Sequence, residues 1–221
     1  MFNLVLKDII IQKKNLQNII LTVIFCMFIL QFIGQTCIYV MVPYFFTNVF
    51  IISSCGYGEK NDVDRMFISL PVNRKEMIVS KYLSTIIFFI MGIAITFLFT
   101  AIDKLSGLSS INRFMNLNDI TIAWIFNALY SSIYIPIYLC RGYLKSQWVS
   151  KILNYFVFIC LVSITLIISF VEDGTAKESV VNFISLPNFQ LIMFIIGLSF
   201  SLILILISIV ISFKLYMNMD L

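Results

Sequence analysis

From Asn15 to Gly58 the chain carries no Asp, Glu, Lys or Arg. The hydrocarbon core of a bilayer takes about 20 apolar residues per helix, and this stretch is about twice that length. Lipid offers no water to satisfy stray backbone groups, so a run of this kind crosses as helix. Its most polar point near the middle is Gly34-Gln35-Thr36. Two spans follow, roughly 18–35 and 37–56, joined by a very short turn. Pro43 sits inside the second, where neighbouring helices re-satisfy the freed carbonyl. Gly56-Tyr57-Gly58 marks the place where that second span ends. The composition agrees: 61% of the 221 residues are hydrophobic and 12% charged, half the charge of a typical soluble domain at about 25%.

Residues 1–17 mix apolar and charged positions. Phe2, Leu4 to Leu6, Ile9 to Ile11 and Leu16 can share one face of a helix, with Lys7, Asp8, Lys13 and Lys14 elsewhere. That pattern fits a cytoplasmic interfacial helix, or a helical extension of the first span. A signal peptide has a shorter apolar core and a small-residue cleavage site; neither is evident, so the first span reads as uncleaved.

The long polar segment lies between the second and third spans, at 57–81. Gly58 to Lys81 holds five of the fifteen Lys and Arg residues and four of the eleven Asp and Glu. Glu59 to Ile68 can form a short helix. Pro71 breaks it, because the residue before a proline avoids helical angles. Asn73-Arg74-Lys75-Glu76 has the spacing of a capping box, which starts a new helix at about 74 that runs into the third span, roughly 82–102. Loop 103–118 follows, then a fourth span at 119–139 with Pro136 near its end. A short basic loop carries Arg141, Lys145 and Lys151. The fifth span is roughly 152–171, loop 172–187 is mainly acidic, and the sixth span is roughly 188–212.

The expected fold is therefore all-α: a single polytopic membrane domain over 1–221 with six transmembrane helices. Cytoplasmic loops collect Lys and Arg. With both termini inside, only Lys104, Arg113 and Lys177 fall outside, in extracellular loops 103–118 and 172–187. The same rule accounts for the net charge of +4, and no basic patch free of acidic residues exists to track a phosphate backbone. Nucleic acid is not an expected partner.

Several chemistries drop out. The chain has no histidine, which removes His-based zinc sites and triads. Cys26, Cys37, Cys55, Cys140 and Cys160 lie in or beside apolar runs with no CxxC pair, and read as small buried hydrophobes. Gly56-Tyr-Gly58-Glu-Lys60 lacks the GxxxxGK[ST] of a phosphate loop, so this chain is not expected to hydrolyse ATP itself. The spans hold no Asp, Glu, Lys or Arg away from their ends. Ion-coupled pumps carry such residues at depth; their lack argues against proton coupling and leaves Na⁺ sites made of backbone or hydroxyl oxygens, so the energy for any transport is expected to come from elsewhere. No cofactor and no metal are expected on this chain.

Three segments carry a family resemblance. They are Ser69 to Lys81 (SLPVNRKEMIVSK) preceded by Glu59, Ile135 to Lys145 (IPIYLCRGYLK), and Ser212 to Asp220 (SFKLYMNMD). Together they resemble the permease subunits of ABC-2 (type V exporter-like) ATP-binding-cassette transporters, over all six spans in order. Asn73 stands where Ser is commoner, and Leu139-Cys140-Arg141 where aromatic residues are usual. Within the family the chain is similar to small permeases of amphipathic peptides, such as the staphylococcal phenol-soluble-modulin exporters. The resemblance implies a plasma-membrane protein of a Gram-positive bacterium that pairs with a second permease chain, identical or paralogous. It also implies separate ABC ATPase subunits that bind ATP and Mg, and an amphipathic peptide as substrate. Segment 59–81 would include the coupling helix, with Glu59, Arg65, Met66, Phe67, Leu70, Pro71, Arg74, Lys75 and Glu76 at the ATPase. Arg141, Gly142, Tyr143 and Lys145 would form the second inner loop. On the residues alone, 59–81 could equally lie on acidic headgroups. A non-transporting scaffold, sensor or peptide-immunity protein is the alternative function, and an ion-coupled small-molecule transporter is a third.

Overall fold

The computed structural model describes residues 2–13, 35–60, 74–106, 115–170 and 187–217. These residues form five helices: α1 (Phe2–Gln12), α2 (Gln35–Lys60), α3 (Arg74–Ser106), α4 (Leu117–Phe170) and α5 (Pro187–Met217). Four of them, all but α1, contain stretches long and apolar enough to cross a membrane. The first expected span, 18–35, lies outside the described residues except for Gln35. Loop 172–187 lies outside them except for Pro187, and of loop 103–118 residues 107–114 do.

α3 is described from Arg74; its expected cap, Asn73, is outside the described residues. α4 begins after Asn116, whose backbone N–H donates to Asp119 Oδ2 at 3.0 Å. A side chain at the third helical position thus accepts from the cap residue's amide, as in one half of a capping box.

α4 differs from expectation. A helix rises about 1.5 Å per residue, so 54 straight residues would reach about 80 Å, far beyond the ~30 Å hydrocarbon core. Instead the chain turns at Gly142, whose φ of 75° and ψ of 177° are not helical. The two arms then fold together. Tyr130 Oη and Ser150 Oγ, 20 residues apart, lie 2.8 Å from each other. The expected loop between spans four and five is therefore a single-residue turn. Residues 143–151 are already helical, and Arg141, Lys145 and Lys151 sit on helix.

The helices alternate in direction. Tyr44 of α2 packs on Phe126 and Tyr130, while Tyr138 lies over Cys55 further along, so α2 and the first arm of α4 run parallel. Trp124 bonds to Ser201 and the Ser132 carbonyl accepts from Ser208, which places α5 parallel to them. α3 runs the other way: Phe88 stacks on Phe50 at 5.2 Å, and Gly92 lies against the Pro43 backbone. The second arm of α4 is also antiparallel to α2, because Tyr44 bonds to Asn154 and Gly56 meets Tyr143. α2 is the central element. In its apolar span 78% of the residues are buried, against 17% in that of α5.

One end of the bundle gathers α1, Lys60, Arg74, the Gly142 turn and Met217. Every described Lys and Arg except Lys104 lies at that end. The bundle is thus strongly asymmetric in positive charge.

Candidate functional site

The charged end is built around the last two turns of α2. This helix does not stop at Gly56; it continues to Lys60. A Cβ at Gly56 would sit 2.7 Å from Tyr143 Cζ, and one at Gly58 would sit 3.4 Å from Tyr138 Oη. Gly56, expected to end the span, is instead a place where α4 presses a tyrosine onto α2, and Gly58 is in ordinary contact with Tyr138. Small residues at such contacts let membrane helices approach closely.

Glu59 then reaches across to the turn of α4. The backbone N–H of Tyr143 donates to Glu59 Oε2. Gly142 beside it has a φ of +75°, a left-handed conformation that glycine adopts without steric cost. A Cβ at Gly142 would lie 3.4 Å from that same carboxylate oxygen. The turn frees the amides that begin the second arm, and a carboxylate is the favoured acceptor at a helix start. Glu59 thereby clasps the end of α2, and with it the start of the polar segment, to the hairpin of α4. Arg141 and Lys145 flank the clasp and are exposed.

α1 closes the other side. It does not lie on its apolar face alone, contrary to the expected pattern. Val5, Asp8 and Gln12 are buried, while Leu6 and Ile10 are exposed. Asp8 is buried because Lys81 Nζ of α3 meets both its oxygens, at 3.1 and 3.2 Å. Gln12 donates to the Phe50 carbonyl at 2.8 Å and accepts from Ser53 Oγ at 2.5 Å. The helix is held by α2 and α3 through polar contacts. Asp8, Gln12 and Ser53 carry no signal in the sequence, because their partners are 38 to 73 residues away.

Of the other residues expected at the site, Lys75 is exposed and Glu76 half-buried at the start of α3. Arg74 is the first residue of that helix. Arg65, Met66, Phe67, Leu70 and Pro71 lie outside the described residues.

A polar seam leads inward from the clasp. Ser146, Ser150 and Asn154 repeat every four residues on the second arm of α4, so they share one face. They meet Tyr134 at 3.4 Å, Tyr130 at 2.8 Å, and both Tyr44 and Asn48 at 3.0 Å. Tyr130, Tyr134 and Tyr138 stack along the facing arm. Asn48 Oδ1 and Asn127 Oδ1 are buried with no hydrogen-bond partner among the described residues. The interior is thus rich in hydroxyls and amides. Among the described residues no group of His, Cys, Asp and Glu could hold a metal ion.

The family model described as "ABC-2 family transporter protein" matches residues 3–217 of this chain. No curated protein and no solved structure matches it.

Proposed function

This chain belongs to the ABC-2 family of transporter proteins, and from that premise we propose how it works. Members of the family are membrane-spanning permease subunits that associate with an ABC ATPase and are not themselves catalytic. We propose that this one exports hydrophobic or amphipathic peptides, as one of two permease chains above two ATPase subunits.

The observation that carries the reading is the Glu59 clasp. The polar segment after α2 is the candidate ATPase-docking element, and its first residues are tied to the Gly142 hairpin. A displacement of the segment by closing ATPases would pull on both arms of α4 at once. The polar seam between those arms and α2 would take up the change. The charge asymmetry supports placing this end in the cytoplasm. Segment 18–34 would supply one further crossing, and α4 supplies two, giving six spans with both termini inside. The pathway offers tyrosine, serine and asparagine contacts with no ion pair at depth, which suits an amphipathic helix better than an ion or a sugar phosphate.

The test is recovery of a complex. The tagged chain, solubilised gently, should bring down an ATPase carrying a Walker A motif in near-equal amount. Arg74→Glu with Lys75→Glu should reduce that recovery while membrane insertion stays normal. Full recovery and transport in the double variant would remove the docking assignment. Recovery of the chain alone, from cells that express its candidate ATPases, would leave the scaffold or immunity reading.

A further inference from the structure

Beside the clasp a groove of about 590 Å³ opens between α2 and the second arm of α4. This falls in the ~300–1,000 Å³ range of sites for small ligands. Val49, Ile52 and Gly56 line it on α2, Leu144 lines it on α4, and Glu59 and Lys60 stand at its mouth. Positions 49, 52, 56 and 60 share one helical face. At about 1.5 Å per residue they span about 16 Å, half of the ~30 Å hydrocarbon core and so the depth of one leaflet. Leu144 is 72% exposed, so the groove is open on its bilayer side.

We propose that this groove holds the acyl chain of an anionic glycerophospholipid, with the lipid phosphate resting on Lys60. The inference depends on the chain spanning a membrane and not on its coupling to an ATPase. Charge selects the headgroup. Glu59 is committed to the Tyr143 amide, while Lys60 is exposed, as are Arg141 and Lys145 around the turn. The mouth therefore presents net positive charge at the interface, where each Lys or Arg raises the occupancy of an anionic lipid about five-fold. Shape selects the tail. A single extended hydrocarbon chain matches the length of the groove, about 16 Å, and its Val49, Ile52 and Leu144 walls. Bound there, the lipid would press on the same two walls that the Glu59 clasp joins, and so would stabilise the hairpin against α2.

The purified full-length chain, reconstituted in vesicles of equal phosphatidylglycerol and phosphatidylcholine and then stripped by detergent, is weighed by native mass spectrometry. The expected result is one retained phosphatidylglycerol per chain, in an excess over phosphatidylcholine of at least about five-fold. Ile52→Trp fills the groove and should lose the retained lipid. Leu191→Trp, on the exposed side of α5, should keep it. Lys60→Gln, at an exposed position, should still retain a lipid but with its preference for phosphatidylglycerol cut about five-fold. Equal retention of phosphatidylcholine by the unaltered chain would overturn the assignment. So would unchanged retention in Ile52→Trp, or a peptide retained in place of the lipid.

Discussion

Glu59 and Gly142 act as a pair although 83 positions separate them, and each explains the other. A residue with a side chain at Gly142 would cost about 1–2 kcal/mol for the left-handed conformation. Gly142→Ala should therefore lower the melting temperature of the purified chain by roughly 2–8 °C, given about 2–4 °C per kcal/mol for a chain of this size. An unchanged melting temperature would mean that the turn is not held as described. Glu59→Ala removes the acceptor from a water-exposed amide, so its effect on stability should be small, about 1 kcal/mol. Its effect on coupling should be large: the ATPase should still be recovered, but ATP should no longer drive transport. The Asp8–Lys81 pair is a different case, because Asp8 is 1% exposed. Lys81→Ala leaves the buried carboxylate, among the described residues, only Lys7, at 3.6 Å, a loss of up to about 3–5 kcal/mol. Asp8→Asn together with Lys81→Met should recover most of it. A double variant as unstable as Lys81→Ala would show that the pair does not hold α1.

At the level of elements, the α4 hairpin defines the interior. In a cysteine-free background, Tyr130→Cys with Ser150→Cys should be joined within one chain by a short bifunctional thiol reagent. A straight α4 would hold these positions about 30 Å apart and give no such product. How far this architecture was legible follows from the same elements. The charge-free runs announce α2, α3, both arms of α4 and α5, because lipid admits only helices of that length. α3 is helical from its first described residue, Arg74, where the Asn73–Glu76 spacing expects a helix to start. The nature of the 141–151 segment was not legible, since three cations in eleven residues look like a loop. Long cationic side chains at a membrane surface snorkel from a continuous helix, and one glycine then suffices to reverse the chain. Gly56 was misread for a related reason: a terminating glycine and one that admits a neighbouring ring are identical in sequence. The burial of Asp8 had no sequence signal at all, because it depends on Lys81 from another helix.

For the whole molecule, export by an ATPase-driven permease requires a fixed sidedness and ATP as the source of energy. Cysteines placed singly at Lys75 and Lys145 should react with a membrane-impermeant thiol reagent only in inside-out vesicles, and one at Lys104 only in right-side-out vesicles. Reaction of all three from one side would contradict the alternating arrangement of the helices. The absence of ionisable groups at depth among the described spans predicts that transport needs no ion gradient. The most direct measurement is uptake of a fluorescent amphipathic helical peptide into inside-out vesicles that contain this chain with its co-purifying ATPase. The account predicts uptake that requires ATP and Mg and persists when proton and sodium gradients are collapsed. Uptake that proceeds without ATP and disappears with the gradients would contradict it.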